Sequence, residues 1–169
     1  MTAKLLKELD FTRVKEPEPS SEMRRLLTEW LDYQRIEFRR KLRDLTPEGV
    51  VAWSVPPVEL SVLGLVRHMS QMEHIYLAWG LGGGDRLELY GTSDFAGGSA
   101  DTIDSDLEIY LEQVDLADRA IAALPSLQSK GLGHGRPLAG ALVKMIDEYA
   151  LHAGQAHMIR FAALGEMIR

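Results

Sequence analysis

The strongest constraint on this chain is the spacing of its apolar residues, which return every three or four positions in four long segments. That period is typical of one face of an amphipathic α-helix. The segments cover residues 21–45, 61–81, 103–124 and 138–164, and each is separated from the next by glycine or proline. A strand would need an alternating pattern, which these segments lack. We therefore predict an all-α fold of the four-helix bundle type.

Residues that favour helix ends flank these segments. Ser20 or Ser21 is a favourable N-cap for the first helix, Ser61 for the second, and Gly165 is a favourable stop for the fourth. The glycine-rich segment 82–101, between the second and third helices, is too long for a tight turn. It predicts a long crossover loop or a lid instead of simple up-down order.

The chain divides into a short lead-in and one domain. Residues 1–19 are polar and include Pro17 and Pro19, so we predict an extended N-terminal lead-in. The helical segments then form a single bundle domain over residues 20–169, a length that suits one hydrophobic core.

Composition narrows the classes of partner and location. The formal net charge is −6, which disfavours binding to nucleic acid, a polyanion. There is no run of about 18 apolar residues to predict a membrane span. The first residues, Met1–Asp10, lack the apolar stretch of a signal peptide. We therefore expect a cytoplasmic protein that acts on a small molecule, and the sequence leaves a homodimer open.

Cysteine is missing from the sequence. Disulfides, cysteine-type zinc sites and a thiol nucleophile on the protein are therefore excluded together. Any thiol chemistry at this protein would need a thiol supplied from outside the chain.

Two helical segments carry polar residues on faces that are otherwise apolar. On the second helix, His68 lies between Leu65 and Met72 and should point into the bundle. On the fourth, Glu148 and His152 are four residues apart, so their side chains stack on one face. A half-buried carboxylate beside a histidine is costly unless a positive group joins them. We predict that a divalent metal ion does so, bound by His68, Glu148 and His152.

A simpler interpretation exists for each of these residues. A lone histidine on an apolar helix face is usually a hydrogen-bonded core residue, and Glu148 and His152 alone would form an exposed ion pair. The apolar neighbours Met145, Tyr149 and Ala156 favour the metal site over a surface pair. Three protein ligands would leave a position for water or substrate, as in catalytic metal sites.

Five further residues are of interest: one glycine within the fourth helix and four candidates for a pocket. Gly154, in the middle of the fourth helix, costs about 1 kcal/mol relative to alanine and therefore predicts close packing by another helix. The candidates for the lining of a pocket beside the metal are Gln34, Met72, Tyr149 and Gln155.

The other three histidines fit the predicted site less well. His74 and His157 lie on different helix faces from His68 and His152. His134 lies in the glycine-rich loop 126–137, where we expect it to be solvated.

Together these motifs resemble the DinB/YfiT-like superfamily of metal-binding four-helix bundles. The residues that carry the resemblance are Leu65-Val66-Arg67-His68 and Tyr149-Ala150-Leu151-His152-Ala153-Gly154-Gln155. The usual pattern has one histidine on the second helix and His-x-x-x-His-x-Gly-Gln on the last, so Glu148 replaces the first histidine of that pair. Such a His, Glu and His set is similar to the mycothiol-dependent maleylpyruvate isomerase branch. The stretches 31–35 and 145–149 resemble an uncharacterised bacterial branch.

The resemblance extends over nearly the whole chain from about residue 20, and it implies both a cofactor and a reaction. The cofactors are a divalent metal, with zinc or nickel expected, and a low-molecular-weight thiol such as mycothiol, bacillithiol or glutathione. The implied enzyme is a metal-dependent thiol S-transferase or thiol-dependent isomerase that acts on a small electrophile.

Three alternatives stay open at this point. A metal-dependent hydrolase is one, since two histidines and a glutamate also suit a zinc-bound water. A non-haem iron oxygenase would use the same ligand types, although the bundle fold disfavours it. The third is a non-catalytic module that binds a metal or a small molecule.

Overall fold

The protein is described by a computed structural model that covers residues 3–20, 22–54, 57–91 and 93–165. Within these ranges the chain is helical and forms no strand, which confirms the all-α prediction. The helices are α1 Lys4–Glu8, α2 Met23–Arg39 with a 3-10 turn Arg40–Leu42, α3 Pro47–Val51, α4 Val62–Met72, α5 Trp79–Gly82, α6 Ile103–Ala123 and α7 Leu138–Leu164. A π-helical segment, Glu73–Ala78, joins α4 to α5 without a break.

Local signals set the start of α4 and the end of α7 close to their predicted positions. The Ser61 hydroxyl accepts a hydrogen bond from the Gly64 amide at 3.0 Å and begins α4. Gly165 has a φ of 69° and ends α7 in the left-handed conformation that glycine favours. The predicted bounds of the second, third and fourth helices are therefore confirmed.

The first long helix is shorter than predicted at both ends. Glu22 is its N-cap, and the Glu22 carboxylate accepts hydrogen bonds from the amides of Arg24 and Arg25. Ser21, one of the two predicted caps, lies outside the described residues. At the other end Asp44 has a φ of 64°, a conformation that an α-helix cannot include.

The lead-in is not wholly extended, which corrects the prediction for residues 1–19. Its residues Lys4–Glu8 form α1, and Leu6 is buried in the core. The Asp104 carboxylate, at the start of α6, accepts hydrogen bonds from the amides of Lys4 and Leu5, both at 2.9 Å. The cap of this short helix is thus supplied by a residue far away in the sequence.

The relative direction of two long helices follows from two residue pairs, in which α4 and the π-helical segment that continues it each contact α6. The Arg67 guanidinium lies 3.4 Å from the Asp106 carboxylate. About two turns further along both helices, His74 Nδ1 lies 3.0 Å from Gln113 Oε1. The two helices therefore run parallel, and a parallel pair needs a long connection between its ends. This arrangement confirms the crossover loop predicted at 82–101.

The core lies between the four long helices, and leucine is the most frequent of its larger side chains. Each fully buried side chain of this size contributes about 1.5–3 kcal/mol. Among those buried are Leu31, Phe38, Leu65, Met69, Leu107, Leu142 and Met145. Within the described ranges, none of the helices combines the length and the apolar character needed to cross a bilayer.

Candidate metal centre

The three predicted ligands meet between α4 and α7. His68 comes from α4, Glu148 and His152 come from α7, and one potential ligand atom from each lies within 4.8 Å of the others. The Glu148 Oε2 atom is 3.2 Å from His152 Nε2 and 3.8 Å from His68 Nε2. The structure thus brings together residues that are 80 positions apart, and their binding of a metal stays a prediction.

Hydrogen bonds on the far side of each imidazole fix which nitrogen faces the shared point. His68 Nδ1 lies 2.8 Å from Asp94 Oδ2, and His152 Nδ1 lies 2.8 Å from Gln155 Oε1. Because both partners are acceptors, each Nδ1 carries the proton and each Nε2 offers its lone pair. Protein metal sites commonly orient their histidine ligands in this way.

The donor set and its spacing fit a divalent ion. With bond lengths of about 2.0–2.2 Å, tetrahedral ligands around zinc lie about 3.4 Å apart, close to the two separations measured to Glu148 Oε2. Two imidazoles and one carboxylate suit zinc or a neighbouring transition metal. Three protein ligands also leave at least one position for a bound molecule.

Lys144, one turn before Glu148 on α7, influences the charge of this carboxylate. Its Nζ lies 2.5 Å from Glu148 Oε1. Burial works to raise the pKa of Glu148, but the hydrogen bond from Lys144 and the positive charge of that ammonium group lower it overall. Glu148 is therefore an anion at neutral pH, with Oε1 bonded to Lys144 and Oε2 facing the two histidines.

The crossover loop packs directly against the site. The Phe95 ring stacks on the His68 imidazole, with centroids 4.2 Å apart and planes 19° from parallel. Arg67 Nε donates a hydrogen bond to the Asp94 carbonyl at 3.1 Å. A Cβ at Gly64 would lie 2.2 Å from the Phe95 carbonyl oxygen, so only glycine lets the loop approach this closely. These contacts place Asp94 on His68.

A cavity of about 480 Å³ opens beside the ligands. Residues 58–60, residues 93–96, His152 and Gln155 line it. Small-molecule sites have volumes of this order and combine apolar walls with a few polar groups. The cavity therefore offers space for a substrate next to the candidate ligands.

The four residues predicted to line a pocket have different surroundings. Gln155 lines the cavity. Tyr149 is fully buried, and its hydroxyl donates to Glu73 Oε1 at 2.6 Å. Met72 is half-buried and packs against the core, and Gln34 is half-buried on α2. Of the four, Gln155 is thus the residue that the structure brings to the site.

The other histidines make hydrogen bonds elsewhere. His74 is buried and bonded to Gln113, as expected for a different helix face. His134 is half-buried, and its Nε2 donates to the Tyr76 carbonyl at 3.1 Å. The prediction of a solvated His134 is therefore wrong, because the loop folds back onto the π-helical segment and α5.

Sequence analysis missed two residues that touch the ligands. Lys144 lies four residues before Glu148, so the helical spacing did contain a signal for that pair. Asp94 lies in an irregular glycine-rich loop, where no periodicity relates it to His68. The contact between Asp94 and His68 can be recognised only once the packing of the loop is known.

Asp94→Asn should weaken metal binding without loss of the fold. The variant removes the negative charge that favours the metal-binding form of His68, and losses of this kind are typically about 10–100-fold in affinity. Competition with a chromogenic chelator would measure the affinity for zinc. Asp101→Asn, an exposed change on the same loop, is the matched control. Equal affinities of the two variants would contradict the role assigned to Asp94.

Comparison with known proteins places the chain in a family. A family model described as Mycothiol-S-transferase matches residues 26–165, which include all three candidate ligands. No curated protein and no solved structure matches the chain. Since the matched region spans most of the sequence, the resemblance to the DinB/YfiT-like superfamily and its mycothiol-related branch is confirmed. The chain belongs to the mycothiol S-transferase family.

Proposed function

We propose that this protein is a metal-dependent enzyme that joins mycothiol, or another low-molecular-weight thiol, to a small electrophile. The observation that carries the proposal is the convergence of His68, Glu148 and His152 within 4.8 Å. The match to the Mycothiol-S-transferase family supports the choice of thiol. Zinc or nickel is the proposed ion, because two imidazoles and a carboxylate suit both.

The chemistry requires a thiolate at neutral pH. A free thiol has a pKa of about 8.5, and a divalent cation bound at the site would lower it. Because the chain has no cysteine, the thiol comes from outside. The thiolate sulfur then forms a bond to the electrophilic carbon, and a leaving group departs with its electron pair.

The residues around the ligands orient and shield the reactants. Asp94 and Gln155 fix the two imidazoles, so that each Nε2 faces the shared point. Phe95 stacks on the His68 imidazole and shields one face of that ring from water. Exclusion of water strengthens the electrostatic interactions inside such a site.

Turnover of a thiol-reactive probe tests the proposal. Protein freed of metal with a chelator should not accelerate the reaction of mycothiol with monochlorobimane, and added zinc or nickel should restore the acceleration. Glu148→Gln should abolish it, whereas Glu112→Gln, an exposed change on α6, should not.

Other outcomes identify the competing functions. Metal-dependent turnover of an ester without any thiol would indicate a hydrolase. Tight metal binding without turnover of any electrophile would indicate a non-catalytic module. Either result would contradict the transferase proposal.

A further inference from the structure

Lys144 contacts the one carboxylate among the three candidate ligands. Its Nζ atom lies 2.5 Å from Glu148 Oε1. The other oxygen, Oε2, lies 3.2 Å from His152 Nε2 and 3.8 Å from His68 Nε2. The two oxygens of Glu148 therefore have different partners: one accepts a hydrogen bond from a lysine, and the other faces the candidate metal position.

This contact differs from an ordinary ion pair on a helix surface. Such pairs contribute little to stability, and the order in which lysine precedes glutamate, as here, is the weaker one. A more exposed partner is also within reach, because Asp147 Oδ2 lies 3.7 Å from Nζ and the Asp147 side chain is 74% exposed. Lys144 nevertheless makes its shorter contact with Glu148, whose side chain is only 13% exposed. The lysine is thus directed at the candidate ligand.

Charge alone does not explain a lysine in this position. An ammonium group on the far oxygen of a metal-binding carboxylate repels a divalent cation on the near oxygen. Lys144 therefore lowers the electrostatic attraction of the site for metal. Its benefit must come from the geometry that its hydrogen bond imposes on Glu148.

The number of oxygens that Glu148 offers to the ion determines how many positions stay free. A carboxylate can bind a divalent ion through one oxygen or through both. Zinc in proteins has four ligands, of which a catalytic site leaves one to water or substrate. His68, His152 and one oxygen of Glu148 make three, and a second oxygen would take the position that the thiol needs. The hydrogen bond from Lys144 to Oε1 competes with binding of this second oxygen.

We propose that Lys144 is a positioning residue that restricts Glu148 to binding the metal through Oε2 alone, and so keeps one position free for the thiol. This role rests on the proposed metal-dependent function and adds a residue to it. Lys144 does not touch the reactants and acts only through Glu148 Oε1. Because the two residues are four positions apart on one helix, their side chains keep this arrangement without help from a loop.

A single free position has a consequence for the electrophile. Once the thiol occupies that position, the electrophile cannot bind to the metal as well. It binds instead in the cavity of about 480 Å³, where Phe95 and Gln155 are among the lining residues. Activation at this site is then limited to the thiol, and an electrophile needs no metal-binding group of its own.

Cobalt(II) bound in place of zinc tests this role without any turnover. Cobalt with four ligands absorbs visible light much more strongly than cobalt with five or six, so its spectrum reports the coordination number. Wild-type protein should give the strong bands. Lys144→Met should weaken them at least about twofold, because Oε1 is released to bind the ion. Lys144→Arg, which keeps a cationic hydrogen-bond donor, should retain them.

Titration with mycothiol measures whether the free position is lost. A thiolate bound to cobalt gives an additional absorption band in the near ultraviolet, and the growth of this band gives the affinity for the thiol. Lys144→Met should bind mycothiol at least about tenfold more weakly, the lower end of the range for groups that orient a metal ligand. Asp147→Asn is the matched control, since it changes the exposed neighbour of Lys144 and leaves Glu148 untouched. Circular dichroism should show unchanged helix content in all three variants.

Three results would overturn the proposal. Lys144→Met protein with bound cobalt and the wild-type spectrum would show that Glu148 binds through one oxygen without the lysine. Equal losses in Lys144→Met and Lys144→Arg would assign the effect to the shape of the side chain. Wild-type protein that binds no cobalt would refute the metal centre and, with it, this role of Lys144. The first two results leave the metal-dependent function intact, so the two proposals fail separately.

Discussion

The Glu148→Gln variant is expected to bind zinc or nickel at least about 100-fold more weakly than the wild-type protein. Loss of a residue that only supports a ligand already costs up to about 100-fold, and Glu148 provides the one anionic oxygen among the three candidate ligands. Glutamine keeps nearly the same shape, so the helix should be unchanged. Competition with a chromogenic chelator gives the affinity, and circular dichroism gives the helix content.

His68→Ala should have an effect of similar size, because it removes the ligand supplied by α4. Glu112→Gln is the matched control on the surface of α6 and should bind metal like wild type. If Glu148 and His152 merely formed a surface pair, their interaction would be worth under about 1 kcal/mol and would not affect metal content. Equal metal occupancy of wild type, Glu148→Gln and His68→Ala would therefore refute the metal centre.

The fold could be predicted from sequence where its determinants are local. The start of α4 depends on Ser61, and the end of α7 depends on Gly165, each within a few residues of the helix end that it sets. The apolar period indicates the buried faces for the same reason, since residues three and four apart are neighbours on a helix.

The remaining features depend on contacts between distant parts of the chain. The short helix α1 is capped by Asp104, about 100 residues away, so its own sequence gives no strong signal. Arg35 and Glu73 are charged residues in the core. A periodicity argument assigns such residues to the solvent, because it cannot recognise that they are each other's partners.

The candidate site likewise contains residues that the sequence predicts and one residue, Asp94, that it does not. Glu148 and His152 could be paired by their spacing on one helix, and His68 by its apolar neighbours. Asp94 could not be found, because its contact with His68 depends on Arg67 and Gly64, which let the loop dock on α4. In a helix, the spacing of the residues determines where their side chains point. In an irregular loop, the direction of a side chain depends on how the loop packs against the rest of the protein.

The largest effect on stability is expected at the buried ion pair between α2 and the π-helical segment. The Arg35 guanidinium donates from Nε and Nη2 to the two oxygens of Glu73, both at 2.8 Å. Its Nη1 also contacts Asp118 at 2.7 Å and Asp32 at 3.2 Å. Burial acts against the charged form, but the Glu73 carboxylate raises the pKa of Arg35 well above its usual range. The guanidinium therefore stays charged.

Two tyrosines extend this pair into the centre of the bundle. The Tyr149 hydroxyl donates to Glu73 Oε1 at 2.6 Å and lies 3.1 Å from the Tyr110 hydroxyl. Burial raises the pKa of Tyr110 to about 12 and also raises that of Tyr149, so both rings are neutral at physiological pH. Every polar atom of this cluster thus depends on its neighbours, and Glu73 has no exposed surface at all.

Arg35→Met should lower the free energy of unfolding by about 3–5 kcal/mol, the usual cost of leaving one charge of a buried pair without its partner. That is a large part of the roughly 5–15 kcal/mol by which a domain is stable. Urea denaturation followed by circular dichroism would measure it. The double variant Arg35→Met with Glu73→Leu should recover much of the loss, because apolar side chains can replace both charges.

The exposed pair of Arg25 and Glu29 on the same helix is the control. Arg25→Met should leave the urea midpoint unchanged, since surface ion pairs contribute little. If Arg35→Met were as stable as Arg25→Met, the Glu73 carboxylate would have to be reached by water in the folded state. In that case the double variant would be no more stable than Arg35→Met alone, because Glu73 would not be a buried charge whose removal could restore stability.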